Sequence, residues 1–204
     1  GTYPVLALSF AAVKADNLED AKTQIKQQIS KVYAENRYLL QGDTLSEKER
    51  EAYEKMDASV SDAEAIDALN NISMYLCRYY GKKVIILLDE YDTPMQEAYL
   101  NGYWEQFLAF MRSLFNASFK TNPYLERAVM TGITRVSKES IFSDLNNLRV
   151  VTTTSDLYAD CFGFTEEEVF DSLEKFGMSD KKELVKNWYD GFTFGKYRDI
   201  YNPW

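Results

Sequence analysis

The sequence contains no histidine. That removes the imidazole on which Ser–His and Cys–His catalysis and most zinc sites depend. Cysteine is almost as scarce. Cys77 and Cys161 are far apart and in no metal-ligand spacing, so they read as two buried free thiols rather than a disulfide. Positive charge is short: 23 Lys and Arg stand against 32 Asp and Glu, for a net charge of −9. The longest basic runs are the pairs Lys82-Lys83 and Lys181-Lys182. Direct nucleic-acid binding over a broad face is therefore not expected, because such binding needs a clustered basic surface. No apolar run approaches the roughly 18 to 20 residues of a membrane span. No basic, then apolar, leader opens the chain. A cytoplasmic protein without membrane contact is the expectation. Repeats and Gly/Ser- or Pro-rich linkers are also missing.

What is present is enough for a packed interior. The 204 residues are 46% hydrophobic and include 12 Phe, 15 Tyr and 3 Trp. A chain of that size can bury one substantial core or two small ones. Residues 3–10, YPVLALSF, read as a buried strand. Asn17 is placed to cap a helix reaching about Asn36, with Leu18, Ala21, Ile25, Ile29, Val32 and Tyr33 on one face. Residues 41–62 are polar and dense in charge, with a capping box at Ser46-x-x-Glu49. A short exposed helix between mobile loops is expected there. A second capping box, Ser61-x-x-Glu64, opens a helix carrying Ile66, Leu69, Ile72, Leu76 and Tyr80. Gly81 stands where a left-handed C-cap belongs.

Residues 84–88, VIILL, show no polar alternation. That pattern predicts the central strand of a parallel sheet, covered on both faces. Residues 104–120 predict an amphipathic helix with Phe107, Leu108, Met111, Leu114 and Phe115 inward. A short strand over 128–131 precedes the polar segment 132–143, and residues 150–154 read as a strand or extended edge. Thr165-x-x-Glu168 caps a helix ending near Gly177, and Ser179 starts another ending near Trp188. Asp190-Gly191 marks a tight turn between two aromatic stretches. Alternating strands and helices predict an α/β, three-layer fold with a mostly parallel sheet and helices on both faces. Strand 84–88 should lie beside strand 128–131. The sheet-containing core is expected over 1–160, and a helical, aromatic part over 161–204.

The densest chemical signal is VIILLDEYD at 84–92. An aliphatic strand ending in Asp-Glu places two carboxylates at the carboxyl edge of a parallel sheet, where α/β proteins bind ligands. In a P-loop ATPase the first acid holds magnesium and the second orients or deprotonates the attacking water. Asp89 takes the first role and Glu90 the second; both also fit a plain strand end at the surface. Asp92 adds a third acid, so a metal-dependent nuclease or phosphoesterase using Asp89, Glu90 and Asp92 is an alternative. Asp92-Thr93-Pro94 reads equally as turn chemistry. Thr131 ends the strand beside the acids, where a polar residue can sense a γ-phosphate. Arg135, on the same edge, either meets phosphate charge or pairs with an acid such as Asp144 or Asp89. No GxxxxGK(S/T) occurs in the sequence. Gly-Lys appears only at Gly81-Lys82 and Gly195-Lys196, without an upstream glycine at the right spacing. Without that loop there is no nest of amides for a β-phosphate.

Taken together and in this order, YPVLALSF, VIILLDEYDTPMQEAY, TGITRVSKESIFSDLNNL, CFGFTEEEV, WYDGFTFG and YNPW resemble the AAA-ATPase-like family of bacterial P-loop-type proteins. The resemblance covers nearly the whole chain. In that family a segment like RPRRFGKS, the Walker A loop, precedes the first of these motifs, and a PD-(D/E)XK nuclease-like domain often follows the last. The resemblance implies a fragment of an ATPase domain that carries Walker B and a sensor-like strand end, with the Walker A strand and loop missing. ATP and magnesium are implied for the full-length parent. Neither is expected bound to this piece, which should be inactive alone. The implied partners are the missing N-terminal segment and the C-terminal nuclease-like domain.

A non-catalytic interaction module on a degenerate ATPase fold is a further reading. Its docking surface would be the aromatic end, with Trp188, Tyr189, Phe192, Phe194, Tyr197, Tyr201 and Trp204. Those side chains fit core and contacts to an absent domain as well. The nuclease alternative meets an obstacle, since restriction-type sites want a Lys two residues after the second acid and here Asp92 stands there. Finally, loss of the Walker A strand should leave the edge of strand 128–131 unpaired, giving a collapsed sheet or a dimer at that edge.

Overall fold

The computed structural model describes residues 1–133, 145, 148–189 and 191–201. Arg135, Asp144, Asp190 and residues 202–204 lie outside the described residues. The chain divides into two compact units, Gly1–Asn147 and Leu148–Trp204.

The first unit is built on a parallel sheet of three strands. β2 (Val84–Asp89) lies between β1 (Val5–Ser9) and β3 (Leu125–Met130). The expected pairing of residues 84–88 with 128–131 is therefore present, and β3 starts earlier than expected. The sheet has not collapsed. β3 has one strand neighbour among the described residues. In-register rows divide the faces. Leu6, Ile86 and Ala128 form one row, and Leu8, Leu88 and Met130 the next. Leu6, Ile86 and Leu88 are almost fully buried. The other face carries Val5, Ile85 and Arg127, then Ala7, Leu87 and Val129. There Val5 is 49% exposed, Leu87 39% and Val129 49%.

This corrects the expectation that VIILL is covered on both faces. Among the described residues one face is packed and the other is open. An unbroken aliphatic run has no period, so it cannot show which face, or how many, the helices reach.

The packed face meets α1 (Leu18–Glu35) and α3 (Asp62–Tyr80), against which α5 (Trp104–Phe115) also packs. Each helix starts or stops as its local chemistry dictates. The Asn17 side chain accepts from the Asp20 N–H, and Ser61 and Glu64 form a reciprocal capping box. Gly81 closes α3 at φ 65°, a left-handed conformation that costs glycine nothing. In α5, Phe107, Phe110, Met111, Leu114 and Phe115 are buried, with Leu108 only partly so. The helix ends at Phe115, and a π-helical turn over Asn116–Lys120 follows.

Residues 41–62 match expectation in part. α2 (Glu47–Glu54) does form behind the Ser46–Glu49 capping box. Most of it is exposed, as expected, but the segment is anchored by the burial of Leu45, Tyr53 and Val60. The Tyr53 hydroxyl donates to the Tyr33 carbonyl at 2.7 Å, and the Tyr33 hydroxyl to the Ala68 carbonyl at 2.8 Å. These bonds stitch α2 to α1 and α1 to α3. Burial pushes the Tyr33 phenol well above its ordinary pKa, so it stays a donor. The Arg50 guanidinium caps the Leu40 and Gly42 carbonyls, and Arg78 pairs with Glu49 at 2.8 Å.

The second unit has an antiparallel sheet ordered β4 (Phe164–Thr165), β6 (Tyr197–Tyr201), β5 (Phe192–Phe194). α6 (Glu166–Lys175) starts at the Thr165–Glu168 capping box, and α7 (Lys182–Tyr189) follows a 3-10 turn from Ser179. Residues 150–154 form no strand; a turn closed by Ser155 N–H to Thr152 carbonyl, 2.9 Å, lies there instead. Among the described residues of this unit, the buried apolar ones are Ala159, Leu173, Ile200 and Tyr201. Both cysteines are free, as expected, but Cys161 is exposed and Cys77 only partly buried.

Candidate functional site

β2 runs one residue further than the aliphatic stretch and ends at Asp89, in register with Ser9. Asp89 continues the open face, in line with Leu87, and is exposed. The chain from β3 arrives alongside it. Thr131 N–H donates to the Leu88 carbonyl at 2.9 Å, and Tyr91 N–H donates to the Thr131 carbonyl at 3.1 Å. These two bonds set the Thr131 hydroxyl against Asp89, to whose Oδ1 it donates. The same hydroxyl accepts from the Glu90 N–H at 3.4 Å.

Glu90 leaves the strand by a left-handed turn, φ 50°. A residue with a Cβ adopts that conformation at a cost of about 1–2 kcal/mol. It persists where surrounding bonds determine it. Thr93 supplies two of them. Its N–H donates to the Glu90 carbonyl at 3.3 Å, and its hydroxyl donates to Glu90 Oε2 at 2.9 Å. Thr93 opens α4 (Thr93–Leu100), whose Pro94, Met95 and Ala98 are buried. The turn expected at Asp92-Thr93-Pro94 thus begins two residues earlier, at Glu90.

Asp92 does not join its neighbours. It is 1% exposed, and its Oδ2 accepts from Gln96 Nε2 at 3.0 Å. Among the described residues no group of three or more His, Cys, Asp or Glu side chains could hold a metal ion. The three-carboxylate metal site on Asp89, Glu90 and Asp92 is therefore not formed, because Asp92 is turned into the protein. Gly132 is a residue that sequence reasoning missed. A Cβ there would stand 2.5 Å from Asp92 Oδ1 and 2.9 Å from Tyr91 Cε1. The available signal was a glycine directly after a strand, which often marks close backbone approach.

The structure thus brings Asp89, Glu90 and Thr131 together at the carboxyl end of the sheet; Arg135 lies outside the described residues. An exposed carboxylate and a second, hydroxyl-held carboxylate can offer oxygen to a hard cation and accept a proton. A separate cleft of about 510 Å³, lined by Tyr3, Pro4, Tyr38, Leu76, Tyr80 and Lys82, opens at the amino end of β1. It is at the opposite end of the strands from Asp89 and has no part in this site. No described helix is long and apolar enough to cross a membrane.

The family described as predicted AAA-ATPase, AAA-ATPase-like, matches residues 1–142. A protein of Azotobacter chroococcum mcd 1, described as an uncharacterized protein in the vnfD 5' region, is 29% identical over 127 residues. The match covers 60% of this chain and 24% of that protein, so the chain spans about a quarter of the relative's length. No solved structure matches.

Proposed function

The chain belongs to the AAA-ATPase-like family, and from that premise we propose that it carries the acidic edge of an ATP-hydrolysing site. One observation supports this above the rest. Two adjacent carboxylates end the central parallel strand, and each is bonded to a threonine hydroxyl, Asp89 to Thr131 and Glu90 to Thr93. Ligands of open α/β sheets bind at that end of the strands.

Asp89 fits magnesium by its chemistry: it is an exposed carboxylate with hard oxygen donors. Bound there, the ion would offset the charge of the β- and γ-phosphates. Glu90 would accept the proton of the attacking water. Thr131 would sense the γ-phosphate from the neighbouring strand end, and Arg135 would meet phosphate charge or pair with an acid. The phosphate loop would come from an upstream segment of a longer cytoplasmic parent, with a nuclease-like domain downstream. In the parent's three-layer fold, further helices would cover the sheet face that carries Leu87 and Val129. The chain by itself would bind ATP weakly and turn none over, since an acidic edge without the loop repels a polyanion.

The test is ATP affinity and turnover in a parent protein that carries the loop. Glu90→Gln should bind ATP with magnesium yet turn over roughly 100- to 10,000-fold more slowly, because an amide cannot take the proton. Asp89→Asn should weaken the magnesium dependence instead. Turnover at the unsubstituted rate in Glu90→Gln removes Glu90 from the mechanism. Tight ATP binding by this chain alone overturns the account of the loop.

A second reading, a non-catalytic interaction module, is favoured by the aromatic surface of the Leu148–Trp204 unit, where Phe176 is 79% and Trp188 77% exposed. A parent with no ATP turnover, but with partner binding lost in Trp188→Ala, would favour it.

A further inference from the structure

We propose that Thr93 is a positioning residue for Glu90, its hydroxyl holding the Glu90 carboxylate in the orientation in which it takes up a proton. This rests on the ATPase reading above and deepens it by naming what aims the base.

Along an extended strand, side chains alternate between faces. Asp89 lies on the open face, so a continued strand would send Glu90 to the packed one. The left-handed turn at Glu90, φ 50°, breaks that alternation. The turn is bonded from both sides. Thr131 Oγ1 takes the Glu90 N–H, and Thr93 gives its N–H to the Glu90 carbonyl. Backbone bonds of this kind place Cα but leave the glutamate side chain three torsions of freedom. The Thr93 hydroxyl removes that freedom by donating to Oε2 at 2.9 Å. A carboxylate held through one oxygen keeps lone pairs on the other for a water proton. Pre-set orientation of this sort lowers the entropy lost on the way to the transition state.

Thr93 is itself well fixed. It is half-buried, Pro94 follows it, and Pro94, Met95 and Ala98 seat the helix in the interior. Threonine at the start of a helix commonly accepts a backbone N–H as a cap. Here the cap position is Asp92, which makes no side-chain cap bond, and Thr93 donates outward to a carboxylate. Its hydroxyl therefore serves Glu90 rather than the helix end.

The discriminating substitution is Thr93→Val, which keeps the shape and removes the donor; Thr93→Ser returns the donor. In a parent protein with the phosphate loop, Thr93→Val should lower kcat roughly 10- to 100-fold. KM for ATP should stay within about twofold, since the interaction acts on the reacting step rather than on nucleotide binding. Thr93→Ser should recover most of the rate. A second readout needs no nucleotide: side-chain scalar couplings of Glu90, measured by NMR on this chain. They should report one rotamer in the unsubstituted chain and in Thr93→Ser, and averaged rotamers in Thr93→Val. If Thr93→Val does not fold, Thr93→Ala carries the same comparison. Turnover in Thr93→Val equal to that of the unsubstituted protein, or higher, overturns the proposal, as does a single Glu90 rotamer retained without the hydroxyl. An inactive unsubstituted parent in which Glu90 still loosens on loss of the hydroxyl supports the hold and overturns the ATPase reading.

Discussion

At Gly132 the chain leaving β3 passes close to the side chains of the turn after β2. Asp92 Oδ1 would lie 2.5 Å from a Cβ at that position and Asp92 Cγ 2.8 Å. The aspartate cannot easily step aside, because it is buried and its other oxygen is bonded to Gln96. Gly132→Ala should therefore destabilise the chain by about 1–3 kcal/mol, the usual cost of overpacking, because the added methyl on this exposed residue would press on the buried Asp92 side chain. Denaturant unfolding monitored by circular dichroism would measure it. A midpoint within error of the unsubstituted chain would show that the turn relaxes freely. At the same scale, Asp92 shows why residue type alone misleads. Three acids within four positions suggested shared chemistry, yet the backbone turn at Glu90 sends Asp89 and Asp92 to different environments, one exposed and one buried.

Among the elements, β1 and β3 both lie at an edge of the sheet, and β3 ends beside the candidate site. It pairs with β2 alone among the described residues, and Val129 is an apolar side chain on the open face next to that edge. Unpaired strand edges recruit other strands unless charge or curvature blunts them. Glu126 and Arg127 are exposed on β3 and supply some of that protection. The chain is expected to form dimers through this edge, and light scattering across a concentration series would detect them. A monomer at every concentration would show that the edge is protected. The helices carry no comparable liability. Three capping boxes, at Ser46–Glu49, Ser61–Glu64 and Thr165–Glu168, close their amino ends.

For the molecule as a whole, the two units differ in what holds them. Gly1–Asn147 has a layered interior of sheet and helices, whereas the described residues of Leu148–Trp204 bury few apolar side chains and leave Phe176, Leu184 and Trp188 exposed. Polar contacts therefore weigh more in the smaller unit. Lys186 on α7 pairs with Glu166 on α6, and the Tyr201 hydroxyl donates to the same carboxylate at 3.1 Å. The Lys186 hydrogen bond, helped by Tyr201, holds Glu166 below the ordinary glutamate range against a smaller opposing effect of burial. A carboxyl depressed in the folded state adds stability above its unfolded pKa and loses it as pH falls through the folded one. The smaller unit should thus weaken as pH falls below the ordinary glutamate range, and Glu166→Gln should flatten that part of the dependence. Thermal unfolding followed by hydrogen exchange in α6 would read it. An unchanged acid limb in Glu166→Gln would remove this carboxylate from the account.

Much of the local architecture was legible in the residues. Capping boxes, the Asn17 cap and the glycine at position 81 act over four residues or fewer, so short-range chemistry decided them. The strands at VLALS and VIILL, and the parallel pairing of VIILL with the strand before Thr131, followed from aliphatic runs separated by helical periods. The Asp89–Glu90–Thr131 edge was legible for the same reason: strand ends carry the polar residues. Long-range contacts decided the rest. A run such as VIILL is apolar on both sides, and only the arrival of α1 and α3 made one face interior and left Leu87 outside. The charged segment around α2 is surface as its composition indicates, but only the tertiary structure shows Tyr53 and Tyr33 anchoring it across three helices. Nothing within the run of acids could show that Asp92 is buried beside Gly132, or that Thr93 reaches back to Glu90. The first was set by packing against the end of β3, some forty positions along the chain, and the second by the left-handed turn at Glu90, which brings Thr93 back over three residues.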